Sequence, residues 1–349
     1  MAPTHSFLKL LSVLALVACV LSFIQVAYAH PVSVDPAAVD LLTGYATLSG
    51  NTTGGEGGET VNVITLEDFR KAVAGATPRI VMVSGIIDIG NDVVNVGSYK
   101  TILGVGNNSG FTNGGLQILK QTNVIVRNLQ FSFSKAPIDL LGLDLSTNIW
   151  IDHNEFFNDM DHGKDYYDGQ VDITHACDYR HHLGLIQIPS CPLYFSFQVT
   201  VSWNRFHDHF KVSLVGHSDA NAAQDTGYLK VTYHHNFFYD VNSRLPSIRF
   251  GSGHIYNNYF RNADTAVHSR MGAKVLVEYN VFHNVTTAIE TEVDSDTAGY
   301  AIGKNNNYGG GHVNISRSGG PTIDYTYSFD PTADVVSIVT ALSGLGIIA

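Results

Sequence analysis

The feature that most constrains the fold is a repeat. Six segments share a run of alternating apolar residues ending in asparagine, and in five of them the asparagine opens an Asn-x-Phe triplet. They are Val124-Ile-Val-Arg-Asn128, Ile149-Trp-Ile-Asp-His-Asn154-Glu-Phe156 and Val199-Thr-Val-Ser-Trp-Asn204-Arg-Phe206. Three more follow, Val231-Thr-Tyr-His-His-Asn236-Phe-Phe238, His254-Ile-Tyr-Asn-Asn258-Tyr-Phe260 and Val275-Leu-Val-Glu-Tyr-Asn280-Val-Phe282. Successive asparagines lie 22 to 32 residues apart, with one longer gap. A period in that range is the signature of a solenoid.

Alternation with period 2, rich in β-branched and aromatic residues, makes each repeat a strand. Helical spacing is nearly absent except in Leu66–Ala76, which predicts an N-terminal capping helix. Strands that recur without helices between them do not build a βαβ sheet. The reading is therefore an all-β chain whose coils stack as a parallel β-helix, the alternative being an antiparallel sandwich with fortuitous repeats. Asparagines at one position of each coil would stack along the axis and satisfy one another in a dry interior. Of the 349 residues, 44% are apolar and only 15% charged, enough for a large core and unlike a disordered chain.

The longer gap, between Asn154 and Asn204, contains Arg180 to Gln198, an apolar segment with no Asn-Gly or Asp-Gly turn signal. Without these 19 residues the two asparagines are 31 apart, inside the range of the other repeats. Such a segment makes a poor surface loop. It is expected to be an insertion, read here as a translated intron absent from the working protein.

Residues 1–29 carry Lys9, an apolar run and Ala27-Tyr28-Ala29, the pattern of a cleaved secretory leader rather than a retained anchor. No later stretch is apolar enough to span a bilayer, so secretion without a membrane anchor is expected. Asn51, Asn107, Asn284 and Asn314 head glycosylation sequons, which suits that route. Outside the leader only Cys177 and Cys191 remain, enough for one disulfide but not for a disulfide framework. The net charge of −11 argues against nucleic acid as a partner.

Two clusters carry chemistry. Asp168-Gly-Gln-Val-Asp172 places two carboxylates on one face of an extended segment, and Asp139, which precedes the repeat asparagine Asn154, is placed to stack one coil away. Three carboxylates with oxygen-only ligation select a hard cation such as calcium, although each aspartate alone reads first as a turn former. Arg244-Leu-Pro-Ser-Ile-Arg249 sets two arginines five apart, and these alone read equally as surface ion pairs. Lys211 alone reads as a solvated lysine. His207-Asp-His209 resembles a zinc fragment, but no further ligand group accompanies it, and structural histidines are the expectation.

Together, Asn148-Ile-Trp-Ile-Asp-His153, Asp168-Gly-Gln-Val-Asp-Ile-Thr, Val199 to His209 and Arg244-x-Pro-x-x-Arg249 are similar to the motifs of the pectate lyase family, in its fungal branch. The resemblance runs in order from about Val61 to Phe329. It implies a right-handed, single-stranded parallel β-helix of three sheets with a groove along one side. It implies calcium held by Asp139, Asp168 and Asp172, with Arg244 as the base that removes a proton and Lys211 and Arg249 binding substrate. The implied substrate is polygalacturonate, cleaved by β-elimination, and the implied enzyme is a monomer. Thr174 stands where some bacterial members carry another substrate-binding lysine. The insertion is a second departure from the family pattern. A pectin lyase would dispense with the aspartate triad, a polygalacturonase would hydrolyse with paired carboxylates around a water, and a non-catalytic β-helix would only bind polysaccharide.

Overall fold

The computed structural model describes residues 41–176, 182–183, 186–187 and 197–348. The leader at 1–29 and both Cys177 and Cys191 lie outside the described residues. Ten strands, from Glu59–Val63 to Tyr300–Lys304, form one parallel sheet in which each strand pairs with the next coil's. A second parallel sheet of 13 strands closes the solenoid. The expected second and third sheets run together here, because strands such as Tyr259–Arg270 are long enough to bend across the corner without breaking.

Register explains why the repeat is so regular. Val199 and Val201 sit over Ile149 and Ile151 on one side and Val231 and Tyr233 on the other, and all six are fully buried. The turn after each strand carries an asparagine whose Nδ2 donates to the asparagine Oδ1 of the next coil. This ladder runs Asn154, Asn204, Asn236, Asn258, Asn280 and Asn306, at 2.9 to 3.0 Å. Beside it Phe131, Phe156, Phe206, Phe238, Phe260 and Phe282 stack nearly parallel, with centroids 4.7 to 5.0 Å apart. That separation is the inter-strand spacing itself.

Asn128 does not belong to the ladder. Val126 pairs with Ile151, so Leu129 occupies the place of Asn154, whose Oδ1 accepts from the Leu129 amide at 3.0 Å. Asn128 instead donates to the carbonyls of Gly104 and Gly106, both at 2.8 Å.

The capping helix spans Leu66–Val73, three residues shorter than the pattern predicts. Thr65 caps it by accepting from the Asp68 amide, and Gly75, at φ +66°, lies just beyond its end. A second helix, Thr332–Leu342, was not expected; it buries Val335 and Val339 against Phe237, Tyr259 and Val281.

Phe197 and Gln198, the last residues of the inserted segment, open the strand Phe197–Ser202 in register with Leu229 and Lys230. The rest of 180–198 lies outside the described residues, apart from a short antiparallel pairing of His182–Leu183 with Ile186–Gln187. The coils on either side stack directly, Val199 on Ile149 and Ile173 on Val215.

Candidate active site

The strands Leu141–Asp144, Val171–Thr174, Leu214–Val215 and Ser247–Arg249 lie side by side and carry, or closely follow, most of the residues singled out from the sequence. Asp172 pairs with Gly142, which has no side chain to cover it, and accepts from the Leu214 amide at 3.0 Å. Asp168 and Gly169 come in from the loop before the strand. A Cβ at residue 169 would stand 2.3 Å from Asp172 Oδ1, so any other residue here would push the Asp172 carboxylate aside. The Gly169 amide donates to Asp139 Oδ1 at 2.9 Å, tying the third carboxylate to the other two.

His209 braces this arrangement from behind. Its Nε2 donates to the Asp168 carbonyl at 2.6 Å and its Nδ1 accepts from Asn158 at 3.2 Å. Burial holds the ring's pKa down at about 4, so it serves as a neutral strut. His207 stacks on Phe157 and Tyr239 and pairs with Asp208, again a structural placement.

The three aspartates repel one another. Burial, reinforced by the charges of Asp172 and Asp168, holds the Asp139 carboxyl well above the usual carboxylate range. Asp172 is raised too, burial outweighing the pull of Arg244 and the Leu214 amide. Among the described residues no three acidic, histidine or cysteine side chains stand together closely enough to hold a metal ion as placed. One reason is visible: an Asp168 oxygen lies 3.3 Å from Lys211 Nζ. The donor set still fits a hard divalent cation, because it offers only oxygen and carries negative charge that nothing fully compensates.

Arg244 follows the strand Phe237–Ser243 with φ +64°, a left-handed turn that costs a non-glycine residue roughly 1 kcal/mol. Its carbonyl is pinned by the Ser213 amide at 2.8 Å. No hydrogen bond or ion pair joins its guanidinium to another described residue, yet its charge is felt by both Asp139 and Asp172. It faces a cavity of about 380 Å³ shared with Arg249, Arg270 and Lys164.

Arg249 stacks in register on Arg270 one coil away, and two like charges so placed need a counter-ion. Asp219 supplies it, accepting from Arg249 Nε and lying 3.9 Å from Arg270. Burial, then the nearby Arg249, lowers the Arg270 guanidinium to about 10. Sequence reasoning missed Asp219, Arg270 and Lys164. Only Arg270 left a signal, since it lies one repeat after Arg249.

The structure thus brings Asp139, Asp168, Asp172 and Lys211 into one cluster, and Arg244 and Arg249 into the adjoining cavity. Comparisons with known proteins agree with this architecture. The family model for pectate lyase matches residues 13–347. Pectate lyase A of Emericella nidulans is 40% identical over 306 residues, covering 87% of this chain and 86% of the relative. Probable pectate lyase B of Aspergillus oryzae is 43% identical over 261 residues, 74% of each chain. The solved structure of a Bacillus sp. N165 pectate lyase in complex with trigalacturonate superposes with a TM-score of 0.76 at 30% identity, covering 88% of this chain and all of that one. With a family model matched along nearly its whole length and relatives this similar, the chain belongs to the pectate lyase family.

Proposed function

We propose that this protein is a secreted, calcium-dependent pectate lyase that cleaves polygalacturonate by β-elimination, leaving 4,5-unsaturated oligogalacturonides. The observation that carries the reading is Arg244: a guanidinium with no partner among the described residues, at the wall of a cationic cavity and within electrostatic reach of Asp139 and Asp172.

Asp139, Asp168 and Asp172 would hold a calcium ion, which supplies positive charge beside the uronate carboxylate and makes the C5 proton more acidic. In its neutral guanidine form Arg244 accepts that proton. Electrons released from the C5–H bond form the C4–C5 double bond and expel the C4 oxygen, which leaves as a hydroxyl by taking a proton from water. Lys211 and Arg249 orient the uronate carboxylates. The pairs Lys211–Asp168 and Arg249–Asp219 hold both cations ready while no substrate is present. His209 fixes the Asp168 backbone, and hence the spacing of the carboxylates. The acidic triad speaks against a pectin lyase, and Arg244 against a paired-carboxylate hydrolase.

Secretion through the leader at 1–29, a monomeric state and absence of residues 180–198 from the working protein complete the proposal. Among the described residues no helix is long and apolar enough to cross a membrane, and the four sequon asparagines are exposed. Peptide mapping of the secreted protein decides the fate of 180–198, because a peptide spanning them would retain the segment.

The test of the activity compares unsaturated ends, read by their ultraviolet absorbance, with new reducing ends after digestion of polygalacturonate. A lyase gives one of each per cut. Reducing ends without absorbance would mean hydrolysis and overturn the reading.

A further inference from the structure

Four cations line the cavity at Arg244, but they are not equally available. Arg249 is 9% exposed and committed to Asp219 and the Gly216 carbonyl. Arg270 bonds Ser295 at 2.7 Å and shares Asp219. Lys211, just beyond the cavity, is 7% exposed and lies between Asp165 and Asp168, at 3.4 and 3.3 Å. Lys164 differs from all three. It is exposed, it lines the cavity, and no hydrogen bond or ion pair joins it to another described residue.

The loop that carries Lys164 is braced, so the lysine is presented rather than left to wander. Asp159 accepts from Tyr167 Oη at 2.6 Å, from His162 Nδ1 at 2.7 Å and from two backbone amides. His162 and Tyr166 stack with ring centroids 3.9 Å apart. The Ala136 amide donates to the Tyr166 carbonyl at 3.0 Å, tying the loop to the turn that bears Asp139. The next residue, Asp165, reaches Lys211, so one loop touches both the cavity and the carboxylate cluster.

We infer that Lys164 is a substrate-binding residue that recognises a free uronate carboxylate in the Arg244 cavity and so sets a preference for de-esterified over methyl-esterified galacturonan. A methyl ester carries no charge, so a solvated ammonium gains little from it, whereas a carboxylate gains a charge-assisted contact. Asp264 and Asp294 also line the cavity and repel an anion, which makes Lys164, the exposed cation with no partner among the described residues, the place where a further carboxylate is received beside those held by Lys211 and Arg249. The inference rests on the reading of this groove as a galacturonan site and names the residue that would grade its substrates.

The experiment measures initial rates of unsaturated product on polygalacturonate and on highly methyl-esterified pectin, for the wild type, Lys164→Met and Lys164→Arg. Lys164→Met should raise KM on polygalacturonate about fivefold, the scale of one exposed charge contact. Its kcat should change much less, its KM on esterified pectin should shift by less than twofold, and Lys164→Arg should restore most of the loss. An unchanged KM, an equal loss on both substrates, or a loss that arginine does not restore would each overturn the inference. Calorimetric binding of trigalacturonate to the calcium-loaded protein separates this claim from the proposed activity. If the wild type binds trigalacturonate in a Lys164-dependent way but forms no unsaturated product, the activity fails and the inference stands. If product forms while binding and KM ignore Lys164, the reverse holds.

Discussion

The interior of the solenoid and the groove on its flank solve opposite problems. Inside, every asparagine of the ladder meets an identical residue one coil away, and every phenylalanine stacks on another phenylalanine. Each group is satisfied by its own repeat, so one pattern written six times is enough. In the groove, partners come from between the repeats: Asp219 for Arg249, Asp165 for Lys211, the Gly169 amide for Asp139. Those loops share no period. The interior also leaves little charge uncompensated, whereas the groove holds Asp139 and Asp172 above their ordinary pKa, with the charge of Asp168 near both, and an arginine with no partner among the described residues. Stability is thus concentrated in one region and reactivity in the other.

If that division holds, damage to the interior should be felt in folding and not in substrate recognition. Phe206 is fully buried between Phe156 and Phe238, 5.0 and 4.9 Å away. Phe206→Ala should cost about 3–5 kcal/mol in chemical denaturation, with KM for polygalacturonate unchanged at temperatures where the protein stays folded. A comparable shift in KM would mean that the ladder and the groove are coupled.

Arg244→Lys is the mirror image. Turnover should fall on the order of 10²-fold, the usual worth of a general base, while KM and the melting temperature move little. If turnover survives, the proton goes elsewhere and Arg244 only binds.

The smallest effect concerns pH. Asp139 and Asp172 have folded-state pKa values raised above their unfolded values, so in metal-free protein their contribution to stability is present below the usual carboxylate range, about 4, and is lost as pH rises through the raised values. Calcium bound by these carboxylates would relieve that loss. The rise in Tm on adding calcium should therefore be a few degrees larger at pH 8 than at pH 5, and taking the difference cancels the opposite trend of buried histidines such as His209 and His268. A calcium increment independent of pH would place the cation away from these carboxylates.

The solenoid was legible because its rule is local: alternate, turn, place an asparagine. The misplaced and missed members show the limits of that rule. Asn128 looks like the other ladder asparagines but falls two residues after the inward-facing Val126, where Asn154 falls three after Ile151. Counting from the inward side chain would have chosen Leu129. Asn306 was passed over because Gly303 and Lys304 blur the alternation before it, although its side chain closes the ladder at 3.0 Å. The helix Thr332–Leu342 does carry apolar residues at helical spacing (Val335, Ile338, Val339 and Leu342), a period that the strand repeat does not contain. In the groove, motif residues were legible and their counter-ions were not. Nothing in the spacing of Asp219 from Arg249, or of Lys164 from Arg244, says that a loop will carry one to the other.

The account's central claim is that three aspartates and one arginine perform a calcium-assisted elimination. The most direct measurement follows ultraviolet absorbance of polygalacturonate with chelated protein, then with calcium returned, then with magnesium in its place. The account predicts no unsaturated product under chelation, recovery with calcium and little with magnesium, whose rigid octahedral demand suits a partly loop-built carboxylate cluster poorly. Undiminished product in excess chelator would contradict it.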